Sequence, residues 1–76
     1  MITVRFYGLL RLDSGMKEQQ LEADTVKEVF TQLTQLGLRK KELDGCVILV
    51  NGKPAGKKQK LNNGDTVQLM SPVAGG

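Results

Sequence analysis

The chain has no histidine and no tryptophan, and it contains one cysteine, one tyrosine and two phenylalanines. Without histidine it has neither a histidine general base nor a Ser–His or Cys–His nucleophile pair. The single cysteine, Cys46, excludes an intramolecular disulfide, a thiolate–imidazole zinc site and a four-cysteine iron–sulfur cluster within one chain. We therefore expect none of these metal sites and no histidine-based acid–base catalysis in this chain.

Long apolar runs are also missing. No stretch approaches the ~18 residues that are needed to cross a membrane. The N-terminus enters alternating residues at once, which is not the pattern of a signal peptide. At 76 residues the chain has room for one small domain. We expect a cytoplasmic protein with no membrane association.

The formal net charge is +3, and seven of the eleven lysine and arginine residues fall into two groups. Clusters of this kind bind phosphate, suit an acidic protein partner or simply keep a loop solvated. The few aromatic residues provide no stacking platform for single-stranded nucleic acid, so we do not expect nucleic-acid binding. The two groups are Arg39-Lys40-Lys41 and the lysines Lys53, Lys57, Lys58 and Lys60.

The N-terminal half predicts a strand, a turn and a second strand. Residues 2–7 alternate, with Ile2, Val4 and Phe6 on one face, which is typical of a strand with one buried side. Residues 8–15 begin and end with glycine and predict a loop or turn. A weakly patterned second strand follows over about 16–22, and its polar residues indicate an edge position.

A helix is predicted over about 26–36. Thr25 and Glu28 form a capping box, in which each side chain bonds the backbone amide of the other. Gly37 stands where a left-handed C-cap is needed. Apolar residues at helical spacing form a stripe that should face a sheet: Val26, Val29, Phe30, Leu33 and Leu36.

The C-terminal half predicts three more strands. The apolar run 46–51 indicates an interior strand, in which Cys46 is expected to pack as a small hydrophobe. Asn51-Gly52 is a tight-turn signal before a short strand. The turn 61–65 leads to a last strand over 66–71.

This order of elements fits one topology well, the α+β fold called β-grasp. It has a mixed sheet of four to five strands, with the first and last strands parallel at its centre and one main helix packed on one face. Pro72 cannot donate a ladder hydrogen bond and should end the last strand. We therefore predict a β-grasp domain over 1–71 and a flexible C-terminal diglycine tail over 72–76.

The tail ends in Gly75-Gly76, which leaves the terminal carboxylate as its only reactive group. Glycine lacks a Cβ, so such a pair can enter a narrow channel. With the segments before it, the tail resembles the ubiquitin-like sulfur carriers, above all the small subunit of molybdopterin synthase (the MoaD family) and next the thiamine-pathway carrier ThiS. The matching segments are Tyr7–Arg11 through Gly15, Thr25-Val26, Val50–Gly52, Leu61–Val67 and Pro72–Gly76.

The resemblance implies a carrier that binds no metal or cofactor and is not an enzyme with acid–base residues of its own. Its chemistry would be centred on Gly76, with Gly75 beside it. A partner E1-like adenylating enzyme would use ATP to adenylate the Gly76 carboxylate, and a sulfur donor protein would convert it to a thiocarboxylate. The large subunit of molybdopterin synthase would receive the loaded tail, and sulfur would pass to a pterin precursor. Three alternatives stay open: thiamine thiazole synthesis, covalent modification of proteins, and a β-grasp module that binds RNA.

Candidate partner-binding residues come from two sources. Strand alternation places Tyr7, Leu49 and Met70 on the sheet face away from the helix. The resemblance adds the tail residues and two positions outside the tail. Members of the molybdopterin branch commonly carry an aromatic residue and a further proline where this chain has Met70 and Ser71. The residues from the resemblance are Pro72, Val73, Ala74, Pro54 and Arg11.

Overall fold

Five strands and three helices make up residues 1–71, the part of the chain that the computed structural model describes. In chain order they are β1 (Ile2–Tyr7), α1 (Gly8–Ser14), β2 (Glu18–Leu21), α2 (Val26–Gln35), α3 (Lys40–Asp44), β3 (Val47–Val50), β4 (Lys53–Pro54) and β5 (Thr66–Met70).

The strands form one mixed sheet in the order β2-β1-β5-β3-β4. β1 and β5 run parallel at its centre, in a register from Thr3 opposite Thr66 to Tyr7 opposite Met70. β2 pairs antiparallel with β1, and β3 pairs antiparallel with β5. The predicted β-grasp topology is confirmed, and so is the edge position of β2.

One face of the sheet and one face of α2 enclose the core. Val4 and Val67 in the central strands and Val29 and Leu33 in α2 have no exposed surface. Burying each side chain of this size contributes about 1.5–3 kcal/mol. The same core contains Ile2, Phe6, Leu10, Leu21, Val26, Phe30, Leu38, Leu43, Val50, Leu61 and Leu69.

The predicted capping box at the start of α2 is present in part. The Glu28 backbone N–H donates to the Thr25 hydroxyl at 3.2 Å. The Glu28 carboxylate accepts its bond from the backbone N–H of Asp24 at 3.2 Å, one residue before the predicted partner. Thr25 itself forms an isolated antiparallel bridge with Lys60, so the chain entering α2 is also tied to the loop before β5.

The C-terminal end of α2 differs from the prediction at Leu36, which is 53% exposed instead of buried. Gly37 has a φ of 107°, as the predicted left-handed cap requires. The backbone N–H of Leu38 donates to the Leu33 carbonyl at 3.1 Å, and the backbone N–H of Gly37 donates to the Thr34 carbonyl at 3.0 Å. These two hydrogen bonds form the Schellman motif. This reversal turns Leu38 into the core in place of Leu36.

The prediction of a loop over 8–15 is wrong, because Gly8–Ser14 is the helix α1. The buried side chain of Leu10 holds this helix on the core. Gly15, with a φ of 72°, ends it by donating its backbone N–H to the Arg11 carbonyl. The N-cap residue Tyr7 makes no side-chain cap, so the sequence carries no local signal for the start of this helix.

A second short helix, α3, was not predicted from the basic stretch that begins at Arg39. Leu43 is its buried anchor, with 1% of its surface exposed. The Lys57 ammonium lies 2.6 Å from the Asp44 carboxylate and 5.8 Å from the centre of the Phe30 ring. The charge of one lysine of the basic loop is therefore balanced within the fold.

The apolar run 46–51 forms the interior strand β3, but it is not buried on both faces. Val50 is buried, Ile48 and Leu49 are half-buried, and Val47 is 45% exposed. Because the helices cover only one face of the sheet, the alternate residues of β3 remain accessible on the other.

The predicted turn after β3 is confirmed. Asn51 and Gly52 have φ values of 52° and 83°, as a type I′ hairpin turn requires. The Asn51 side chain donates to the Asp65 carboxylate at 2.9 Å and accepts from the Thr66 backbone N–H at 2.9 Å. These bonds connect the hairpin to the start of β5.

Stability should fall in acid partly because of Asp65. Its carboxylate accepts from the Asn62 backbone N–H at 2.8 Å and from Asn51, and these bonds lower its pKa below the ordinary 3.8. A lowered pKa in the fold gives stability that is present above the unfolded-state pKa and is lost as pH falls through the folded-state value. Urea unfolding between about pH 5 and pH 2 should show a steeper decline for wild type than for Asp65→Asn. Equal slopes would contradict this role.

Candidate functional site

The sheet face away from α2 carries the three predicted strand residues together. Tyr7 and Met70 lie directly opposite each other in the β1–β5 pair. Leu49 lies on the same face and is opposite Gln68, the residue two before Met70. All three are half-buried. This geometry agrees with the predicted partner face, and the contacts with a partner stay a prediction.

Val47 belongs to this face and was missed. It is opposite Met70 across the β3–β5 pair and is 45% exposed. Its spacing of two from Leu49 was the available signal, because alternate residues of a strand point to one side. Tyr7, Met70 and Val47 thus form a row across three strands at the end of β5, and we call this row with Leu49 the outer apolar patch.

The outer apolar patch gives way to polar residues along the same face. The Gln68 side-chain amide donates to the Tyr7 hydroxyl at 3.3 Å, which turns the phenol toward the centre of the sheet. Arg5 lies opposite Gln68 and is 3.6 Å from the Glu18 carboxylate. This pair is about half exposed and contributes at most ~1 kcal/mol. The apolar end of the face is therefore the end from which the C-terminal segment leaves.

The candidate residues Pro54 and Arg11 lie in different parts of the fold. Pro54 is an exposed residue of β4 directly opposite Leu49, so it extends the outer apolar patch to the sheet edge. Arg11 is an exposed residue of α1, outside the sheet. The resemblance gave both residues as candidates, but only Pro54 is paired with a residue of the outer apolar patch.

Ser71 marks the base of the C-terminal segment. Its hydroxyl accepts a hydrogen bond of 2.6 Å from the backbone N–H of Leu10 in α1. Leu9 and Leu12 of the same helix are 51% and 76% exposed. The predicted tail residues Pro72, Val73, Ala74, Gly75 and Gly76 lie outside the described residues.

Cys46 packs as predicted. It is half-buried against the core, and its Sγ donates to the Leu43 carbonyl at 2.9 Å. Burial raises the pKa of the thiol from 9.0 to about 11. At neutral pH the thiolate, which is the reactive form, is therefore scarce.

The folded protein should resist alkylation at Cys46. A pKa of about 11 in place of 9.0 reduces the thiolate fraction at pH 8 by about 100-fold. Iodoacetamide labelling followed by mass spectrometry should be slower in buffer than in urea by at least that factor. Equal rates in the two solvents would show that the thiol is accessible and ionised in the fold.

Two further observations concern the described part of the chain. Residues 1–71 contain no group of three or more Cys, Asp and Glu side chains placed to hold a metal ion. None of the helices in this part has both the length and the apolar character needed to cross a membrane.

Solved structures of similar proteins cover nearly the whole chain. A chain in the complex of subunits 1 and 2 of molybdopterin-converting factor from Helicobacter pylori is 28% identical, with a TM-score of 0.76, over 99% of this chain and 97% of that one. The small archaeal modifier protein 1 from Methanosarcina acetivorans is 26% identical, with a TM-score of 0.80, over 99% and 95%.

A chain of the BexX/CysO complex from Amycolatopsis orientalis shares the fold, at 24% identity and a TM-score of 0.70 over 100% of both chains. A search of curated protein sequences finds no match. The model of the ThiS family matches residues 4–76, which includes the last four residues of β1, the outer apolar patch and the terminal glycines. The chain therefore belongs to the ThiS family, the ubiquitin-like sulfur carriers that its sequence resembles.

Proposed function

We propose that this chain carries sulfur on its C-terminus for molybdopterin synthesis. In this proposal the Gly76 carboxylate is adenylated by a partner enzyme with ATP, converted to a thiocarboxylate and used to donate sulfur to a pterin precursor. The observation that carries the proposal is the extent of the family match, which runs from β1 to Gly76 itself. The 28% identical relative that lies in a complex with subunit 2 of molybdopterin-converting factor supports the pathway.

In this proposal the folded domain binds the partner proteins and the C-terminal segment carries the sulfur. β5 is hydrogen-bonded to β1 and β3 as far as Met70. The C-terminal segment therefore starts from a strand that is paired on both sides. A partner that binds the outer apolar patch would receive Gly76 within ~17 Å of Ser71, because this is the greatest reach of five extended residues.

The outer apolar patch is the surface that we propose for the large synthase subunit and the adenylating enzyme. Exposed apolar residues grouped on one face of a small domain mark interaction sites more often than isolated ones do. Tyr7 and Met70 are of types that are enriched in interface cores, where they pack closely and exclude water. Pro54 would extend this contact to the sheet edge.

Mass spectrometry of the intact protein tests the proposal. After incubation with the cognate adenylating enzyme, ATP and a sulfur donor, the chain should become heavier by the mass difference between sulfur and oxygen. Fragmentation should place the change on Gly76, and omission of ATP should prevent it. An unchanged mass in the complete reaction would rule out the carrier function.

A second function, attachment to other proteins, is favoured by the similarity to the small archaeal modifier protein. The activated Gly76 carboxylate could then form an isopeptide bond with a lysine amine. Cells that express an epitope-tagged chain should show adducts of higher mass that disappear when Gly76 is deleted. Accumulation of the thiocarboxylate without adducts would favour the first function alone.

A further inference from the structure

A hydrogen bond links the end of the described chain to the start of α1, across 61 positions of sequence. Leu10 is the third residue of α1, and the first backbone N–H groups of a helix have no acceptor within it. The N-cap residue Tyr7 makes no side-chain cap. The Ser71 hydroxyl supplies an acceptor for Leu10 from another element, at 2.6 Å.

Ser71 is constrained from both sides as well as through its side chain. Met70 before it is paired with Tyr7 in β1 and with Val47 in β3. Pro72 after it restricts the backbone of residue 71 to extended conformations, because the proline ring clashes with a helical predecessor. The strand pairing of Met70, the hydrogen bond of the Ser71 hydroxyl and the proline that follows in the sequence therefore all restrict the backbone at residues 70 and 71.

The first residue of α1, Gly8, lies close to Ser71, where the chain leaves the sheet. A Cβ added to Gly8 would lie 3.9 Å from the Ser71 carbonyl oxygen and 4.0 Å from the Ser71 Cβ, which is ordinary contact distance. Gly8 also has a φ of 66°, a conformation that a side chain would strain. The helix therefore packs beside Ser71 and presents a fixed hydrogen-bond donor to it.

We propose that Ser71 is a positioning residue for the C-terminal carrier segment. Its hydrogen bond to α1 sets the direction in which the chain leaves the sheet, so that a partner enzyme meets the outer apolar patch and the Gly76 end in one arrangement. This role rests on the proposed carrier function.

The size of the effect follows from the cost of ordering one residue. A partner that binds the sheet face and the C-terminal segment together must order the residue that joins them, and preorganisation removes that cost from binding. Fixing the backbone of one residue corresponds to a factor of about 5–30 in an equilibrium constant. Since Pro72 and the strand remain, the lower value is expected when the hydroxyl alone is lost.

The test is steady-state adenylation of the full chain by its cognate adenylating enzyme with ATP. Ser71→Ala should raise the KM for the carrier about fivefold and leave kcat within about twofold, because the lost interaction acts in binding and not in the chemical step. Ser71→Thr keeps the hydroxyl oxygen and should restore the wild-type KM.

Ser14→Ala is the matched control. The Ser14 hydroxyl accepts from the Met16 backbone N–H at 3.1 Å at the other end of the same helix. Its loss perturbs α1 without touching Ser71, so KM should stay at the wild-type value. In NMR, Ser71→Ala should accelerate exchange of the Leu10 amide about three- to tenfold and lower the order parameter of residue 71, while Ser14→Ala should change neither.

The outcomes separate the two proposals. Wild-type kinetics for Ser71→Ala, or an equal rise in KM for Ser14→Ala, would overturn the positioning role and leave the carrier function standing. A changed order parameter with an unchanged KM would also overturn it. A wild-type chain that is not adenylated at all would overturn the carrier function, and the role of Ser71 with it.

Discussion

Deletion of Gly76 is expected to abolish sulfur transfer while leaving the fold intact. The terminal carboxylate would then belong to Gly75 and lie up to ~3.3–3.6 Å short of its place in the partner's site. A displacement of about 1 Å already costs about 100-fold in rate when reacting groups must be aligned. The loss should therefore be at least 100-fold in the adenylation assay.

The same deletion should leave the free energy of unfolding within about 0.5 kcal/mol of wild type. The buried core of the described chain extends from Ile2 to Leu69, and β5 ends at Met70. Gly56→Ala is the matched control, because a Cβ there meets nothing within 4 Å and the backbone needs no positive φ. It should keep both activity and stability. A large loss of stability on deletion of Gly76 would mean that the terminus is part of the folded core.

The second large effect is expected at Phe30. Phe30 lies on the buried face of α2 and is 7% exposed, with the Lys57 ammonium 5.8 Å from the centre of its ring. Truncation to alanine should lower the free energy of unfolding by about 3–5 kcal/mol, from the lost burial and the cavity that remains. A domain of this size has a total stability of about 4–11 kcal/mol, so the loss is a large fraction of the total and unfolds the variant if the wild type lies near the lower value.

Chemical denaturation measures the stability loss of Phe30→Ala, and Leu36→Ala at the end of the same helix is the control. Leu36→Ala removes an equally apolar side chain that is 53% exposed, and it should cost no more than about 0.5 kcal/mol. Phe30→Leu keeps most of the apolar volume and should give a folded variant whose transition can be measured. Similar losses for Phe30→Ala and Leu36→Ala would show that the assignment of the buried face of α2 is wrong.

Local sequence signals predicted the structure correctly where the interacting residues are close together in the chain. Thr25 caps the amide of Glu28 three residues later, and Asn51-Gly52 forms the expected turn. The alternation of Ile2, Val4 and Phe6 identified β1 and its buried side. The same alternation placed Tyr7, Leu49 and Met70 on one face, because strand periodicity does not depend on the neighbouring strands.

The sequence alone did not predict features that depend on residues far away in the chain. The helix α1 has no cap of its own and receives an acceptor from Ser71, 61 positions away. Val47 shares a face with Leu49 by strand alternation, but its place beside Met70 depends on the register of β3 against β5. Leu36 follows the helical spacing of the buried residues, but the reversal at Gly37 places Leu38 in the core instead.

The order of residues by itself determined the main helix, the turns, the strand faces and the diglycine end, since each follows from chemistry within a few positions of the chain. Only the tertiary structure decided that α1 exists, that Val47 completes the outer apolar patch and that Ser71 ties the exit of the last strand to the first helix. The first and third of these features depend on β1 and β5 lying side by side, which brings residues from opposite ends of the chain into hydrogen-bonding distance, and the second depends on the pairing of β3 with β5.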